Sequence, residues 1–174
     1  MDASDLKAQI PGLRRYARAL TGDAWAADDL VQDTLERACT KWRLWQVGSD
    51  LRAWLFTLMH NLYASQVRRT LRQGELGRPL DLDDLGQEPS APPGMQDHTL
   101  DLQRCLLRLP EEQRVVLLLV TLEDLGYAEV ASITGVPVGT VMSRLSRARR
   151  RLQELMNAAP ATEATATPAL RRLK

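Results

Sequence analysis

The sequence has 174 residues, a length that fits one medium-sized domain or two small ones. Hydrophobic residues make up 44% of the chain and charged residues 26%, which is an ordinary globular composition. The formal net charge is only +1, so the total charge gives no indication of nucleic-acid binding.

Targeting and cysteine signals exclude several other classes. No basic stretch followed by an apolar run opens the sequence, and the longest apolar run, Val115–Val120, is too short to span a bilayer. We therefore expect a soluble cytoplasmic protein without membrane insertion. Cys39 and Cys105 are too few and too far apart for a disulfide framework or a zinc site, and both are expected to be buried thiols.

The distribution of charge divides the chain. Residues 1–71 carry 10 basic and 8 acidic side chains, residues 72–97 carry 2 and 6, and residues 98–174 carry 11 and 8. The acidic segment 72–97 also contains eight Gly and Pro residues, which predicts a flexible linker. We predict an all-α protein with two small helical domains, 1–71 and 98–156, and a disordered Ala/Thr-rich tail over 157–174.

The domain 1–71 is predicted to contain three main helices. The first has its apolar residues on one face, and Pro11 suits its first turn. Asp23 is expected to cap the second helix, and Ser49 or Asp50 the third. The apolar stripes of the three helices predict a small bundle.

The domain 98–156 is predicted to contain four shorter helices. Asp97 is expected to cap the first, and Pro110 with the two following carboxylates indicates the start of the second. Gly135 and Pro137 end the third helix, because Gly accepts a left-handed cap and Pro cannot continue the helix.

The last two predicted helices form the most informative pattern. A short helix, a glycine turn and a basic helix make up a helix-turn-helix, and residues 138–153 contain five arginines and no acid. Small polar residues can approach base edges, while guanidinium groups reach guanine edges or phosphates. A solvated basic face, or a helix that binds calmodulin or a membrane surface, remains the alternative. The predicted DNA-contacting residues are Gly139, Thr140, Met142, Ser143, Arg144, Ser146, Arg147 and Arg150.

Three segments of this second domain, 109–114, 127–131 and 136–149, resemble region four of the sigma-70 family of RNA polymerase sigma factors. The resemblance implies a domain that reads the −35 promoter element in the major groove. The stretch 140–144 resembles the start of the family's recognition helix. Because many repressors also carry a helix-turn-helix, this pattern alone does not identify the family.

Residues 28–38 resemble region two of the same family. The resemblance implies that this helix docks on a coiled coil in the largest subunit of core RNA polymerase. Outward polar residues then face the partner: Asp29, Gln32, Asp33 and Glu36. From the residues alone, a solvated acidic face is the alternative. A metal site is not favoured, since no histidine or third acid joins the paired carboxylates at ligand spacing.

The following segment resembles the part of region two that melts the −10 element and captures extruded bases. Aromatic faces stack on unpaired bases, each contact contributing about 1–3 kcal/mol. The predicted −10 residues are Trp45, Val47, Gly48, Ser49, Asp50, Arg52 and Asn61. Trp54 is expected to pack in the core, and Trp42 could do the same.

Region two, a short linker and region four stand in the order typical of the extracytoplasmic-function (ECF) group. Membership implies a promoter-specificity subunit that is not an enzyme and uses no cofactor. The implied partners are promoter DNA, core RNA polymerase through its largest-subunit coiled coil and its flap, and an anti-sigma factor. We also hypothesise that the linker acids, including Asp81, Asp83 and Asp84, follow the basic path that RNA takes through polymerase.

Two other functional classes are alternatives. A helix-turn-helix repressor or activator would act without polymerase and needs a dimerisation or sensor domain, which the sequence does not indicate. An enzyme is disfavoured, because the only histidines, His60 and His98, have no nucleophile elbow, phosphate loop or metal ligands beside them.

Overall fold

The computed structural model describes residues 3–42, 50–74 and 95–158. Within these ranges the structure is all-α, as predicted. The helices are α1 (Ala3–Thr21), α2 (Ala24–Lys41), α3 (Leu51–Gly74), α4 (Met95–Leu107), α5 (Glu111–Thr121), α6 (Tyr127–Thr134) and α7 (Val138–Ala158). Among the described residues, no helix combines the length and apolar character needed to cross a bilayer.

Helices α1, α2 and α3 form the first module. Gly22 ends α1 with φ +76°, and Asp23 caps α2 by accepting a hydrogen bond from the Ala26 N–H at 2.7 Å. In the core of the module, the rings of Tyr16 and Phe56 meet edge to face with centroids 5.3 Å apart. The predicted three-helix arrangement and the Asp23 cap are therefore confirmed.

The start of α1 differs from the prediction. The helix begins at Ala3, and Pro11 lies inside it instead of in its first turn. Pro11 has no N–H to donate to the preceding turn, which disfavours this position. The apolar stripe continues upstream, however, and Leu6 packs against the core. Burial along these two extra turns outweighs the missing hydrogen bond.

Helices α4 to α7 form the second module. Pro110 is the N-cap residue of α5, whose buried face runs from Arg114 to Leu119. Gly135 ends α6 in the left-handed conformation at φ 68°, as predicted. The prediction that Asp97 caps the first of these helices is wrong, because α4 already begins at Met95.

The modules are not independent of each other. α1 packs on α4 and α5, α3 packs on α6, and a single apolar cluster runs through both modules. The sequence did not indicate this packing. The predicted linker 72–97 is helical at both ends, since α3 runs to Gly74; its middle, 75–94, and the tail from 159 lie outside the described residues. Cys105 is buried as expected, but Cys39 is exposed.

Candidate nucleic-acid interface

The helix-turn-helix is held by packing on α5. Val130 and Ile133 of α6, together with Val141 and Leu145 of α7, are buried against the rest of the module. Glu129 fixes the start of α6 by accepting a hydrogen bond from the Gly126 N–H at 2.7 Å. Because the inner faces of both helices are buried, the outer face of α7 has a defined orientation.

Most predicted −35 residues lie on that outer face. Exposed side chains or backbone are found at Gly139, Met142, Ser143, Ser146, Arg147 and Arg150, whereas Thr140 is half-buried. The Met142 side chain is 53% exposed and is therefore accessible to a partner. Arg150 also faces Glu154 at 3.8 Å, a surface pair that constrains it little.

Arg144 is the exception among these residues. Its side chain is only 21% exposed and forms an ion pair with Glu112 of α5. It lies in a groove of about 280 Å³ between the modules, which His60 and Arg68 of α3 also line. Burial, followed by the positive charges of Arg144 and Arg68, holds the pKa of His60 below its usual range.

The predicted −10 residues fall into three groups. Trp45, Val47, Gly48 and Ser49 lie outside the described residues. Asp50 caps α3 by accepting a hydrogen bond from the Arg52 N–H at 2.8 Å, and Asn61 is exposed. The Arg52 guanidinium is occupied, because it binds the Glu123 carboxylate of the other module at 2.8 Å.

The neighbouring tryptophans differ in burial. Trp54 is partly buried against the core, as expected. Trp42 is 47% exposed at the end of α2, so it is not a core residue. Its position directly before residues 43–49 keeps it close in sequence to the predicted −10 loop.

The acidic face of α2 is open. Asp29, Gln32 and Glu36 are exposed, and Gln32 donates a hydrogen bond to Glu36 at 3.0 Å. Partial burial and the negative charges of Asp29 and Glu36 raise the pKa of Asp33. A cationic partner would relieve this like-charge repulsion.

Trp25 is a surface residue that the sequence reasoning missed. It is 88% exposed and lies on the α2 face that carries Asp29 and Gln32. The spacing of four and seven residues along a helix could have revealed this shared face. Trp is among the residue types enriched at the hot spots of protein interfaces.

No three His, Cys, Asp or Glu side chains of the described residues come together at ligand distance. The arrangement offers two polar helix faces of opposite charge, which suits binding of a basic partner and of DNA.

Two family models match separate parts of the chain. The family described as the sigma2 domain of PhyR matches residues 6–60, and sigma-70 region 4 matches residues 99–152. The curated ECF RNA polymerase sigma factor EcfG of Rhodopseudomonas palustris is 39% identical over 155 residues, covering 87% of this chain and 83% of that protein. SigE of Mycolicibacterium smegmatis is 34% identical, covering 82% of this chain and 56% of that protein.

A solved relative resembles the whole arrangement. The sigma factor RpoE of Bartonella quintana, crystallised with the anti-sigma factor NepR, matches with a TM-score of 0.77 and 34% identity. The match covers 90% of this chain and 96% of that one.

Proposed function

Because this chain belongs to the ECF group of sigma-70 factors and directs transcription initiation, we propose a division of labour between its surfaces. The outer face of α7 binds the −35 element, the region around the start of α3 binds the −10 element, and the outer face of α2 binds core polymerase. The observation that carries this proposal is the placement of the basic and acidic helix faces on different modules. The domain boundaries proposed are 1–71 for the first module and 98–156 for the second.

At the −35 element, α7 enters the major groove with its first turns. Gly139, Ser143 and Ser146 leave room for base edges, and Met142 supplies an apolar contact to a thymine methyl group. Arg147 and Arg150 bind guanine edges or phosphates. Arg144 joins them once its pair with Glu112 is exchanged for DNA.

At the −10 element, base capture is assigned to the segment between α2 and α3. Trp45, Val47, Gly48 and Ser49 are proposed to hold extruded bases, and Asn61 and Arg52 to contact the strand beside them. Trp42, exposed at the end of α2, is a further stacking surface next to this segment.

Core polymerase is proposed to bind α2 through its acidic stripe. Trp25 supplies an apolar anchor, and Asp29, Gln32, Asp33 and Glu36 meet basic or polar groups of the largest-subunit coiled coil. The second module is proposed to rest on the flap of the enzyme. Because the Bartonella relative was crystallised with NepR, we also propose an anti-sigma factor of that kind as a partner of this chain.

The assignment of α2 is tested by core polymerase that lacks its own sigma subunit. We expect Asp29→Asn combined with Glu36→Gln to weaken co-purification with that enzyme. Asp28→Asn is the matched control on the same helix, because Asp28 instead faces Arg14 of α1 at 3.3 Å. Equal binding by the variant and the control would refute the assignment.

A further inference from the structure

α7 begins with two apolar side chains that are exposed to solvent. Val138, its first residue, is 41% exposed, and Met142, one turn later, is 53% exposed. Residues four apart on a helix are surface neighbours, so these two side chains form one continuous strip. Pro137, exposed directly before the helix, extends the strip. We call Pro137, Val138 and Met142 the apolar edge of α7.

The apolar edge borders the buried face of α7. Val138 lies nearly in line with the buried Leu145, because seven residues make almost two full turns of a helix. Met142 is turned further outward. Single exposed apolar side chains are ordinary on protein surfaces, so exposure alone assigns no role. The position of the edge does indicate one, because helix-turn-helix proteins place the N-terminal residues of their second helix against base edges.

The opposite flank of the outer face of α7 is polar. Ser143 and Arg147 lie four residues apart on this flank and are exposed. The Ser143 hydroxyl donates a hydrogen bond to the Thr140 carbonyl at 3.0 Å, so its oxygen is left to accept one. Arg147 offers donors only. The start of α7 therefore presents an apolar row on one flank, and an acceptor and a cation on the other.

Small residues separate the two flanks. Gly139 and Ser146 lie between them on the surface of the helix, and both are exposed. A methyl group added at Gly139 would meet nothing within 4 Å, so the space in front of the backbone is open. Because DNA can approach α7 closely at this place, the side chains of both flanks can reach the floor of the major groove.

An A·T pair matches the two flanks in its chemistry. In the major groove its thymine shows a methyl group and its adenine shows an amino group. An apolar side chain favours the methyl group, and a hydroxyl oxygen such as that of Ser143 accepts from the amino group. A G·C pair in the same orientation has no methyl group and places the acceptors of guanine opposite Ser143. The start of α7 therefore favours A·T pairs whose thymines face the apolar edge.

The length of the apolar edge sets the number of thymines that it can cover. Val138 and Met142 are separated by about 6 Å along the helix axis, at a rise of about 1.5 Å per residue. Successive bases of one DNA strand are about 3.4 Å apart. A single methyl group would leave half of the edge uncovered, whereas the methyl groups of two adjacent thymines cover it.

We propose that Val138 determines promoter specificity together with Met142: the apolar edge of α7 reads the methyl groups of two adjacent thymines on one strand of the −35 element. The proposal deepens the assignment of the −35 element to α7 and rests on it. Burial of the two methyl groups against the edge supplies affinity without a hydrogen bond. Ser143 accepts from the amino group of an adenine that is paired with one of these thymines.

Deoxyuridine tests the proposal, because it differs from thymidine only by the missing methyl group. The full chain is assembled with core RNA polymerase, and its affinity is measured for a promoter whose −35 element this holoenzyme has selected from random sequences. Deoxyuridine at one of the adjacent thymines should weaken binding about fourfold, and at both about tenfold or more. A selected element without adjacent thymines, or equal affinity for the deoxyuridine promoters, would overturn the proposal.

Variants of the apolar edge show which side chains read the methyl groups. Val138→Ser removes both side-chain methyl groups and leaves a residue that suits a helix start. It should bind the thymine promoter about fourfold more weakly and lose the response to deoxyuridine at one thymine, while Met142→Gln should lose the response at the other. Met156→Gln is the matched control, at a methionine that is 49% exposed near the far end of α7. If Val138→Ser and Met142→Gln respond to deoxyuridine as Met156→Gln and wild type do, the apolar edge does not read the methyl groups.

Arg147→Ala distinguishes this inference from the proposed function. If wild type prefers the selected −35 element to a scrambled one and Arg147→Ala loses this preference, α7 reads the element, and a missing response to deoxyuridine then overturns the inference alone. If wild type has no preference, the assignment of α7 fails and the inference fails with it. If Val138→Ser lowers transcription but binds both promoters as wild type does, the apolar edge contacts protein instead of DNA, which also overturns the inference.

Discussion

Arg114 of α5 donates a hydrogen bond to the hydroxyl of Tyr63 of α3 at 2.9 Å, and only 9% and 7% of these residues are exposed. The second nitrogen of the guanidinium group donates to the Leu107 carbonyl at 3.1 Å, which ties the contact to the end of α4. A cation at this depth depends on each of its acceptors, because little water reaches it. The pair therefore couples the folding of one module to that of the other.

Tyr63→Phe should lower the free energy of unfolding by about 1–3 kcal/mol, since it leaves a buried donor of Arg114 without its acceptor. Chemical denaturation monitored by circular dichroism measures the change. Tyr127→Phe, at a residue that is 40% exposed, should change stability by no more than about 0.5 kcal/mol. A loss of the same size at both tyrosines would show that the contact between the modules contributes nothing.

Gly12→Ala separates the stability of α1 from closure of the modules. Ala in place of Gly favours a helix by about 1 kcal/mol, so α1 itself is stabilised. The added methyl group lies 3.2 Å from Glu123 Oε2, however, so the carboxylate has to shift by a few tenths of an ångström. We expect weaker closure of the modules without a loss of helix content.

Gly139→Ala is the control for that substitution, because a methyl group there meets nothing within 4 Å. It should leave the distance between the modules unchanged. If the modules of Gly12→Ala stay as closed as those of wild type, the space between Gly12 and the Glu123 carboxylate accommodates a methyl group.

Closure should weaken in mild acid through His60. The closed form holds the pKa of His60 below its ordinary value of 6.5, so the open form binds the proton more readily. Closure is therefore at full strength above pH 6.5 and weakens as the pH falls below it. The charged groups that line the groove with His60 are Arg68 of the same helix and Glu111, Glu112 and Arg144 of the second module.

The distribution of distances between spin labels at Cys39 in the first module and at Asn157→Cys in the second, in a Cys105→Ala background and measured from pH 8 to 5.5, tests this dependence. Burial raises the pKa of Glu111, so uptake of a proton by this carboxyl group strengthens closure. This effect belongs to the more acidic range in which carboxyl groups titrate, below the range measured. His60→Gln should therefore remove the response within the measured range. A response that survives the substitution would assign the effect to another group.

Arg147→Ala should weaken binding to a −35 duplex by about 1–3 kcal/mol, equivalent to roughly 5- to 150-fold, if the guanidinium contacts a base. Fluorescence anisotropy with matched and mutated −35 duplexes measures the affinity and the specificity. Arg151→Ala is the control, because Arg151 on the same helix faces Glu154 at 3.5 Å and is assigned no base. If both variants lose similar affinity on both duplexes, α7 contacts only phosphates and does not read the sequence.

Trp25→Ala should weaken binding to core polymerase by about 2 kcal/mol or more, as expected for an aromatic residue that becomes buried in an interface. The fold should be unaffected, since the side chain is 88% exposed. Competition against a labelled wild-type chain for core enzyme measures the loss. Met156→Ala, at an apolar residue of α7 that is 49% exposed, should compete as wild type does.

The helices and their outward faces could be predicted from sequence, because each depends on local signals. Asp23 and Gly135 act within one or two turns, and the stripe from Val141 to Leu155 repeats at helical spacing. The prediction for the start of α1 is wrong, because the apolar residues before Pro11 extend the helix upstream. Cys39 was misjudged, since its helix turns it away from the core.

The contact between the modules could not be predicted in this way. Glu123 and Arg52 are 71 positions apart, and nothing near either residue in sequence indicates a buried ion pair. From the sequence Arg52 is predicted to contact the −10 element, because pairing between residues far apart in sequence leaves no periodic trace. Trp25 differs, because its spacing of four and seven residues from Asp29 and Gln32 is visible in the sequence of α2.

Run-off transcription with core RNA polymerase and a library of random promoters tests the central claim most directly. The account predicts that the wild-type chain selects templates with two separate motifs, one near −35 and one near −10, and that Arg147→Ala relaxes only the first. Transcripts that do not depend on the added chain, or selected templates with a single motif, would contradict it.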